Sequence, residues 1–308
     1  MGGADGPSGS AARRPFVDRA LTDLALADRA AEAAADRWGL PRPHRLRVGM
    51  NALYGCGGTV LRVGHATAPA ELAHRLAEVM IEHGVATVSP VDGLAGTFEG
   101  VAVTAWQREQ AVDVAIDWVA VGRSVRRVHE VPLAALPSGY PVPSPQVFPW
   151  WDFEALLAES ADLLDEAALH GLRSALDRHA GWRHEVGVGA VVCHGDVHPG
   201  NVLRSANGPL LIDWDLLCTA PPAWDHAMLT SYAPRWGGDP AVYRAFADGY
   251  GASLAHDPLT IGLARLRNVA ATLMRLRAGR TDPVARAEAE RRLRHWRDDP
   301  GAPAWTAQ

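Results

Sequence analysis

Lysine is absent from this chain, so all 30 of its Lys and Arg side chains are arginines. Any step that ordinarily uses an ammonium group must use a guanidinium or do without. Cysteine is nearly as scarce. Cys56, Cys193 and Cys218 are too few and too scattered for a disulfide framework or a paired-cysteine metal site. Sparse thiols in odd number suit a reducing compartment, and the expected location is the cytoplasm. No apolar run approaches the roughly 20 residues that a membrane span needs, so no membrane partner is expected. The opening MGGADGPSGSAARR has no apolar stretch and does not read as a signal peptide. An excess of positive charge is also missing: the formal net charge is −5, which gives no reason to expect a nucleic-acid partner. What is present is ordinary globular composition, 48% hydrophobic and 21% charged over 308 residues. That length and apolar content suffice for two modest lobes with real cores.

The periodicity changes along the chain. Residues 1–14 read as a disordered leader of Gly, Ser, Asp and Arg. An Ala-rich amphipathic helix is expected over 16–38, ending near Gly39 and Pro41. Short strand-like runs follow at Arg45–Val48, Ala52–Tyr54 and Thr59–Val63. They are separated by Gly49-Met50-Asn51 and by the tight turn Gly55-Cys56-Gly57-Gly58. A helix is expected at about 69–83, then strands at Val85–Val91 and Val101–Trp106. Three strands, a helix and two strands make a small α+β lobe over 15–107. From about 111 the apolar period shifts from two to 3.6, which places the lobe boundary near 107–112 and a mainly helical lobe over 108–308. Within it, helices are expected over 111–129 and 152–180, and after residue 223.

Chemistry concentrates in one segment, Val191–Leu203, which reads VVCHGDVHPGNVL, and in the later LLIDWD ending at Asp215. An apolar strand enters a polar loop and leaves as another strand. Asn201 follows Asp196 by five residues and Asp213 follows it by seventeen. Phosphoryl transfer needs a carboxylate to orient and deprotonate the attacking hydroxyl, and hard oxygen ligands to hold Mg²⁺ against phosphates. An Asp, an Asn carbonyl and a second Asp on neighbouring strands supply those groups. The alternation of His194, Asp196 and His198 also suggests an imidazole–carboxylate metal site, but no further histidine cluster completes a shell and IDWD is left unexplained. Cys193 beside His194 ends an apolar strand and reads as a buried inert thiol rather than a nucleophile.

HGDVHPGN followed by LLIDWD resembles the aminoglycoside phosphotransferase family of the protein-kinase-like fold. The resemblance extends to nearly the whole chain after residue 40. It implies a bilobal α+β architecture, with an antiparallel sheet in the small N-terminal lobe and a larger, mainly helical C-terminal lobe. It also implies Asp196 as catalytic base, Asn201 and Asp213 as Mg²⁺ ligands, and ATP or GTP as co-substrate. Gly49, Met50 and Asn51 are expected to bring backbone N–H groups to the triphosphate. Arg62 stands where the family has its phosphate-binding lysine, with Glu71 or Glu78 as its partner. If Leu61 and Val63 enter the core, strand alternation turns Arg62 toward the cleft. Trp106 and Arg108 fall at the hinge, where backbone groups would meet the purine. Asp225 matches an acid that caps the next helix or holds the catalytic loop; Asp215 reads as structural or as a contact to a second metal.

Residues 152–166 carry Asp152, Glu154, Glu159, Asp162, Asp165 and Glu166 with no basic residue among them. As one helix they form an acidic face, either merely solvated or, through Glu159 and Asp162, a platform for a cationic acceptor. The expected activity is phosphoryl transfer to a hydroxyl of a small, cationic molecule such as an antibiotic. The alternatives are a metabolic kinase for an amino alcohol, amino acid or sugar, and a nucleotide-binding pseudoenzyme.

Overall fold

A computed structural model describes residues 20–306, so the leader expected over 1–14 lies outside the described residues. The first helix, α1 (Leu24–Trp38), begins where the Asp23 side chain accepts the Leu26 N–H, and ends at Gly39 in the left-handed conformation. Its buried face is made only of alanines, at 27, 30, 31, 34 and 35. Such small side chains let the helix lie close against the sheet. That sheet has the order β1-β2-β3-β5-β4 and is antiparallel throughout: β1 (His44–Val48), β2 (Ala52–Cys56), β3 (Thr59–Gly64), β4 (Pro90–Phe98) and β5 (Val101–Gln107). Between β3 and β4 runs α2 (Ala70–Glu82).

The strand expected at Val85–Val91 starts only at Pro90. Residues 85–89 serve another purpose, because they connect the lobes. Thr87 forms a parallel bridge with Leu211, and the Leu211 N–H donates to the Ala86 carbonyl at 2.8 Å. The Thr87 hydroxyl donates to the Leu211 carbonyl at 2.7 Å.

The helical lobe opens with α3 (Trp118–Glu130), capped by Asp117, rather than at 111. Residues 111 and 112 instead bridge to Ser205 and Arg204. The long helix expected over 152–180 is broken into α4 (Phe153–Glu159) and α5 (Glu166–Arg178). The break follows from capping: the Asp165 carboxylate accepts the Ala168 N–H and starts a new helix. After the short α6 (Trp182–Glu185) come two small sheets, β6 (Val191–Cys193) paired with β9 (Cys218–Ala220), and β7 (Val202–Ser205) paired with β8 (Gly208–Leu211). Four helices close the lobe: α7 (Ala223–Trp236), α8 (Ala241–Tyr250), α9 (Pro258–Ala278) and α10 (Pro283–Trp296).

Three apolar clusters hold these parts. One lies between α1 and the sheet, and one joins α4–α7, α9 and α10 around Trp151, Trp182, Trp224 and Trp296. The third spans the lobes: Leu76 and Met80 of α2 share it with Val125 of α3 and with Val192, Val197 and Val202 around the polar loop. The loop that carries Asp196 therefore hangs from a core to which both lobes contribute.

Candidate active site

The loop between β6 and β7 is shaped by Gly195, Asp225 and His194. Gly195 has φ +91, and a Cβ there would come within 1.9 Å of the Leu216 carbonyl oxygen. Only glycine fits, on grounds of both conformation and space. Asp225, in the first turn of α7, has no exposed surface. Its carboxylate accepts the His194 N–H at 2.9 Å and the Gly195 N–H at 2.8 Å. It also pairs with His129 Nε2 at 3.0 Å, while His129 Nδ1 meets the Tyr250 hydroxyl at 2.9 Å. Burial pushes the Asp225 carboxyl up, but these partners outweigh it and hold the group below its ordinary range. The His194 ring accepts the Asp196 N–H on Nδ1, so Nε2 carries the proton toward the Ile212 carbonyl, 3.1 Å away. Burial lowers the affinity of this ring for a second proton, in keeping with that neutral form.

Asp196 sits at the exit of this loop with two differently placed oxygens. Oδ2 accepts from Asn201 Nδ2 at 3.1 Å and lies 3.3 Å from His198 Nε2. Asn201 Nδ2 also donates to the Asp196 carbonyl at 3.0 Å. Oδ1 has Arg267 Nη1 at 3.7 Å, beyond a normal hydrogen bond. Burial works against the charge on Asp196, yet His198 and Arg267 prevail and hold its carboxyl down to about 2. His198 is fixed in turn, because its Nδ1 accepts the Gly200 N–H at 3.0 Å. Its own pKa is raised: burial opposes protonation, but the Asp196 carboxylate wins.

Asp213 follows β8 in the left-handed region, φ 67, rare for a residue with a side chain. Burial and the neighbouring Asp215 push its carboxyl up to about 6, with Asp196 adding to the repulsion. Arg62 approaches from β3. Leu61 and Val63 are fully buried in the small-lobe core, so alternation turns Arg62 to the other face. Its Nη2 hydrogen-bonds Asp215 Oδ2 and lies 3.8 Å from Asp213 Oδ1. The expected ion pair with Glu71 or Glu78 is thus replaced by one with Asp215.

Other sequence candidates fall as follows. The Gly49-Met50-Asn51 turn joins β1 to β2; the Gly49 N–H is bonded to the Asn51 carbonyl, and the Met50 carbonyl accepts the Leu21 N–H at 3.1 Å. The Asn51 side chain folds over Gly64, where an added Cβ would meet its Oδ1 at 1.9 Å. Trp106 packs edge-on against His74 at 5.0 Å and donates its indole N–H to Thr104. The Arg108 N–H, expected to face a purine, instead donates to the Gly58 carbonyl at 3.0 Å, and its guanidinium to the Gly57 carbonyl. These bonds tie the hinge to the β2–β3 turn. Glu159 and Asp162 do not form a free acidic face. Asp162 pairs with Arg280 at 2.6 Å, and Glu159 lies 4.0 Å from Arg277. The helix break separates them, and α9 supplies Arg277 as a counter-ion.

Sequence reasoning missed Arg267, from α9, whose Nη2 donates to the Gly195 carbonyl at 2.6 Å and whose guanidinium stacks 4.7 Å over Trp224. It also missed His129 and the contact of His198 with Asp196. Nothing in the local sequence around Arg267 or His129 marks them, whereas His198 lies inside the HGDVHPGN motif and was readable there.

A family model described as the phosphotransferase enzyme family matches residues 54–267. No curated protein sequence matches the chain. Among solved structures, the chain is similar to amicoumacin kinase in complex with AMP-PNP, Ca²⁺ and Ami, at 14% identity and TM-score 0.64, over 91% of this chain and 97% of that one. It is similar to a choline/ethanolamine kinase family protein from Mesorhizobium loti, at 18% identity and TM-score 0.63, over 92% and 95%. It is also similar to spectinomycin phosphotransferase bound to ADP and spectinomycin, at 14% identity and TM-score 0.62, over 83% and 89%. These likenesses establish the bilobal protein-kinase-like fold. With a family model matching more than half its length, the chain belongs to the phosphotransferase enzyme family.

Proposed function

We propose that this protein moves the γ-phosphoryl group of a Mg²⁺-bound nucleoside triphosphate to a hydroxyl of a small molecule. The observation that carries this reading is the state of Asp196. Its Oδ2 is engaged by Asn201 and His198, while Oδ1 makes no normal hydrogen bond among the described residues. A carboxylate held ionised with one oxygen free is suited to orient an acceptor hydroxyl and take its proton as the oxygen attacks phosphorus. Arg267 and His198 set the direction of the carboxylate, and the Asp225 carboxylate holds the loop beneath it.

The donor set fits a divalent cation. Asn201 spends its Nδ2 on Asp196, which leaves its carbonyl oxygen as a hard ligand. Asp213 is a carboxylate crowded by Asp215 and Asp196, and a nearby positive charge would relieve that repulsion. In this reading Asn201 and Asp213 hold Mg²⁺, which when bound neutralises charge on the phosphates. Arg62 in this reading binds the remaining phosphate oxygens, with the Gly49–Asn51 turn as the backbone element proposed beside them. The purine, in the same reading, sits near Trp106, with ATP and GTP both admissible.

For the acceptor, we favour a cationic molecule such as an aminoglycoside or an amino alcohol, and a role in antibiotic resistance. The support is the Asp196 carboxylate, whose Oδ1 is left open toward the acceptor, together with the net charge of −5. Glu159 and Asp162 lend none, being paired with arginines. The three cysteines are free thiols, and we place the protein in the cytoplasm. The test is nucleotide consumption with Mg²⁺ against a panel of aminoglycosides, peptide antibiotics, amino alcohols and sugars. Acceptor-dependent turnover of ATP or GTP supports the reading. Nucleotide binding without turnover on any acceptor would favour a pseudoenzyme.

A further inference from the structure

The phosphate-binding cation of kinase-like folds needs a carboxylate to hold it, and in this chain α2 does not supply one. Arg62 is fixed at its backbone, in register with Leu53 on β2 and Thr104 on β5. Its guanidinium rides on a long stem with many rotamers and points where a second group pins it. The part of α2 that meets Arg62 carries Ala70 and Ala73, which line the small cavity beside it together with Thr67, Thr104 and Tyr140. Glu71 and Glu78, the two carboxylates expected to pair with Arg62, are both exposed on α2.

We propose that Asp215 is the positioning residue for Arg62, taking over the task that a helix carboxylate performs elsewhere in this fold; the inference rests on the phosphotransferase reading above. Asp215 Oδ2 accepts from Arg62 Nη2, and the two side chains are 24% and 25% exposed, sheltered enough for the pair to resist solvent screening. The platform under Asp215 is rigid. Trp214, its neighbour, donates its indole N–H to the Thr87 hydroxyl of the interlobe segment at 3.1 Å. The Tyr140 hydroxyl closes on the Trp214 carbonyl at 3.4 Å. Asp215 is therefore anchored to both lobes, and Arg62 is held by that anchor.

The geometry also gives a reason for arginine at this position. Among the described residues the hydrogen bond of Arg62 is made by Nη2, which leaves the Nη1 and Nε N–H groups for phosphate oxygens. A planar fork can serve a carboxylate on one edge and a phosphate on another, whereas an ammonium is a single point. A further consequence is coupling. Asp215 and Asp213 are two residues apart on one turn. The group that fixes the phosphate cation and the group assigned to the metal thus move together.

The experiment is a double-mutant cycle on ADP binding, read by calorimetry with EDTA and again with Mg²⁺. The proteins are wild type, Asp215→Asn, Arg62→Ala and the double variant, with Asp215→Glu as a charge-retaining control. Without metal, each single substitution should weaken ADP binding about tenfold, the double variant should be no weaker than Arg62→Ala, and Asp215→Glu should recover part of the loss. Additive losses would overturn the proposal. So would a loss that appears only with Mg²⁺, which would make Asp215 a metal ligand, or unchanged binding in Asp215→Asn. Wild-type protein that binds no nucleotide under either condition would instead refute the phosphotransferase reading, and the inference with it.

Discussion

At Asp225 a carboxylate without exposed surface serves three donors: His129 Nε2 and the N–H groups of His194 and Gly195. Removing it leaves two buried amides and an imidazole without an acceptor, and breaking a buried pair of this kind costs about 3–5 kcal/mol. Asp225→Ala should therefore lose stability on that scale in urea denaturation; a loss under about 1 kcal/mol, the size of an exposed interaction, would show that the network is not what holds the loop. Arg267 acts at the same loop from outside. With Nη2 on the Gly195 carbonyl and Nη1 3.7 Å from Asp196 Oδ1, it sets where the base points rather than how the nucleotide binds. Arg267→Gln should lower kcat about tenfold or more and leave nucleotide KM nearly unchanged, since misplacing a catalytic group acts on the chemical step. A rise in nucleotide KM with unchanged kcat would contradict this assignment. Arg267 also marks what the sequence withholds. Asp196, Asn201 and Asp213 are readable because a loop and a hairpin keep them close along the chain. Arg267 lies 72 positions from the carbonyl it binds, and Asp215 lies 153 from Arg62, so only the fold brings them together.

Elements tell the same story through their ends. The small lobe's strands and α2 follow from alternation and from Gly and Pro at their boundaries. The exceptions are segments whose backbone is recruited by distant partners: Ala86 and Thr87 cross to Leu211, and residues 111 and 112 cross to β7. A pattern read within a window does not contain those partners. The acidic stretch 152–166 misleads for a different reason. Its composition suits one helix, but Asp165 is a better cap than an interior residue and divides it. The acids then meet Arg277 and Arg280. Arg277 lies ten residues along α9 from Arg267, a rise of about 15 Å at 1.5 Å per residue. Glu159→Gln combined with Asp162→Asn should leave acceptor KM unchanged and cost at most ~1 kcal/mol of stability, as for exposed pairs. An increase in KM that disappears at high salt would instead restore the acidic platform.

For the molecule as a whole, pH reveals which buried groups resist protonation. His74, His226 and His295 are pushed down to about 4, and His179 and His194 are lowered too, in each case chiefly by burial. As pH falls below about 6.5 the unfolded chain takes up protons on these rings while the folded chain does not, so stability should fall from pH 7 toward pH 5. Asp213, raised to about 6, and His198, also raised, work in the opposite sense. Two groups against five leave the net direction unchanged, and urea midpoints that rise on acidification would contradict it. The account of function depends most directly on Asp196. The measurement that tests it is transfer of the γ-phosphoryl group to the best acceptor of the panel, followed by product phosphorus NMR in wild type and Asp196→Asn, with nucleotide affinity measured alongside. The expected result is phosphorylated acceptor from the wild type, and kcat lower by ~10²–10⁴ in the variant at unchanged affinity, the range for loss of a positioned base. Equal turnover by both proteins would contradict the account.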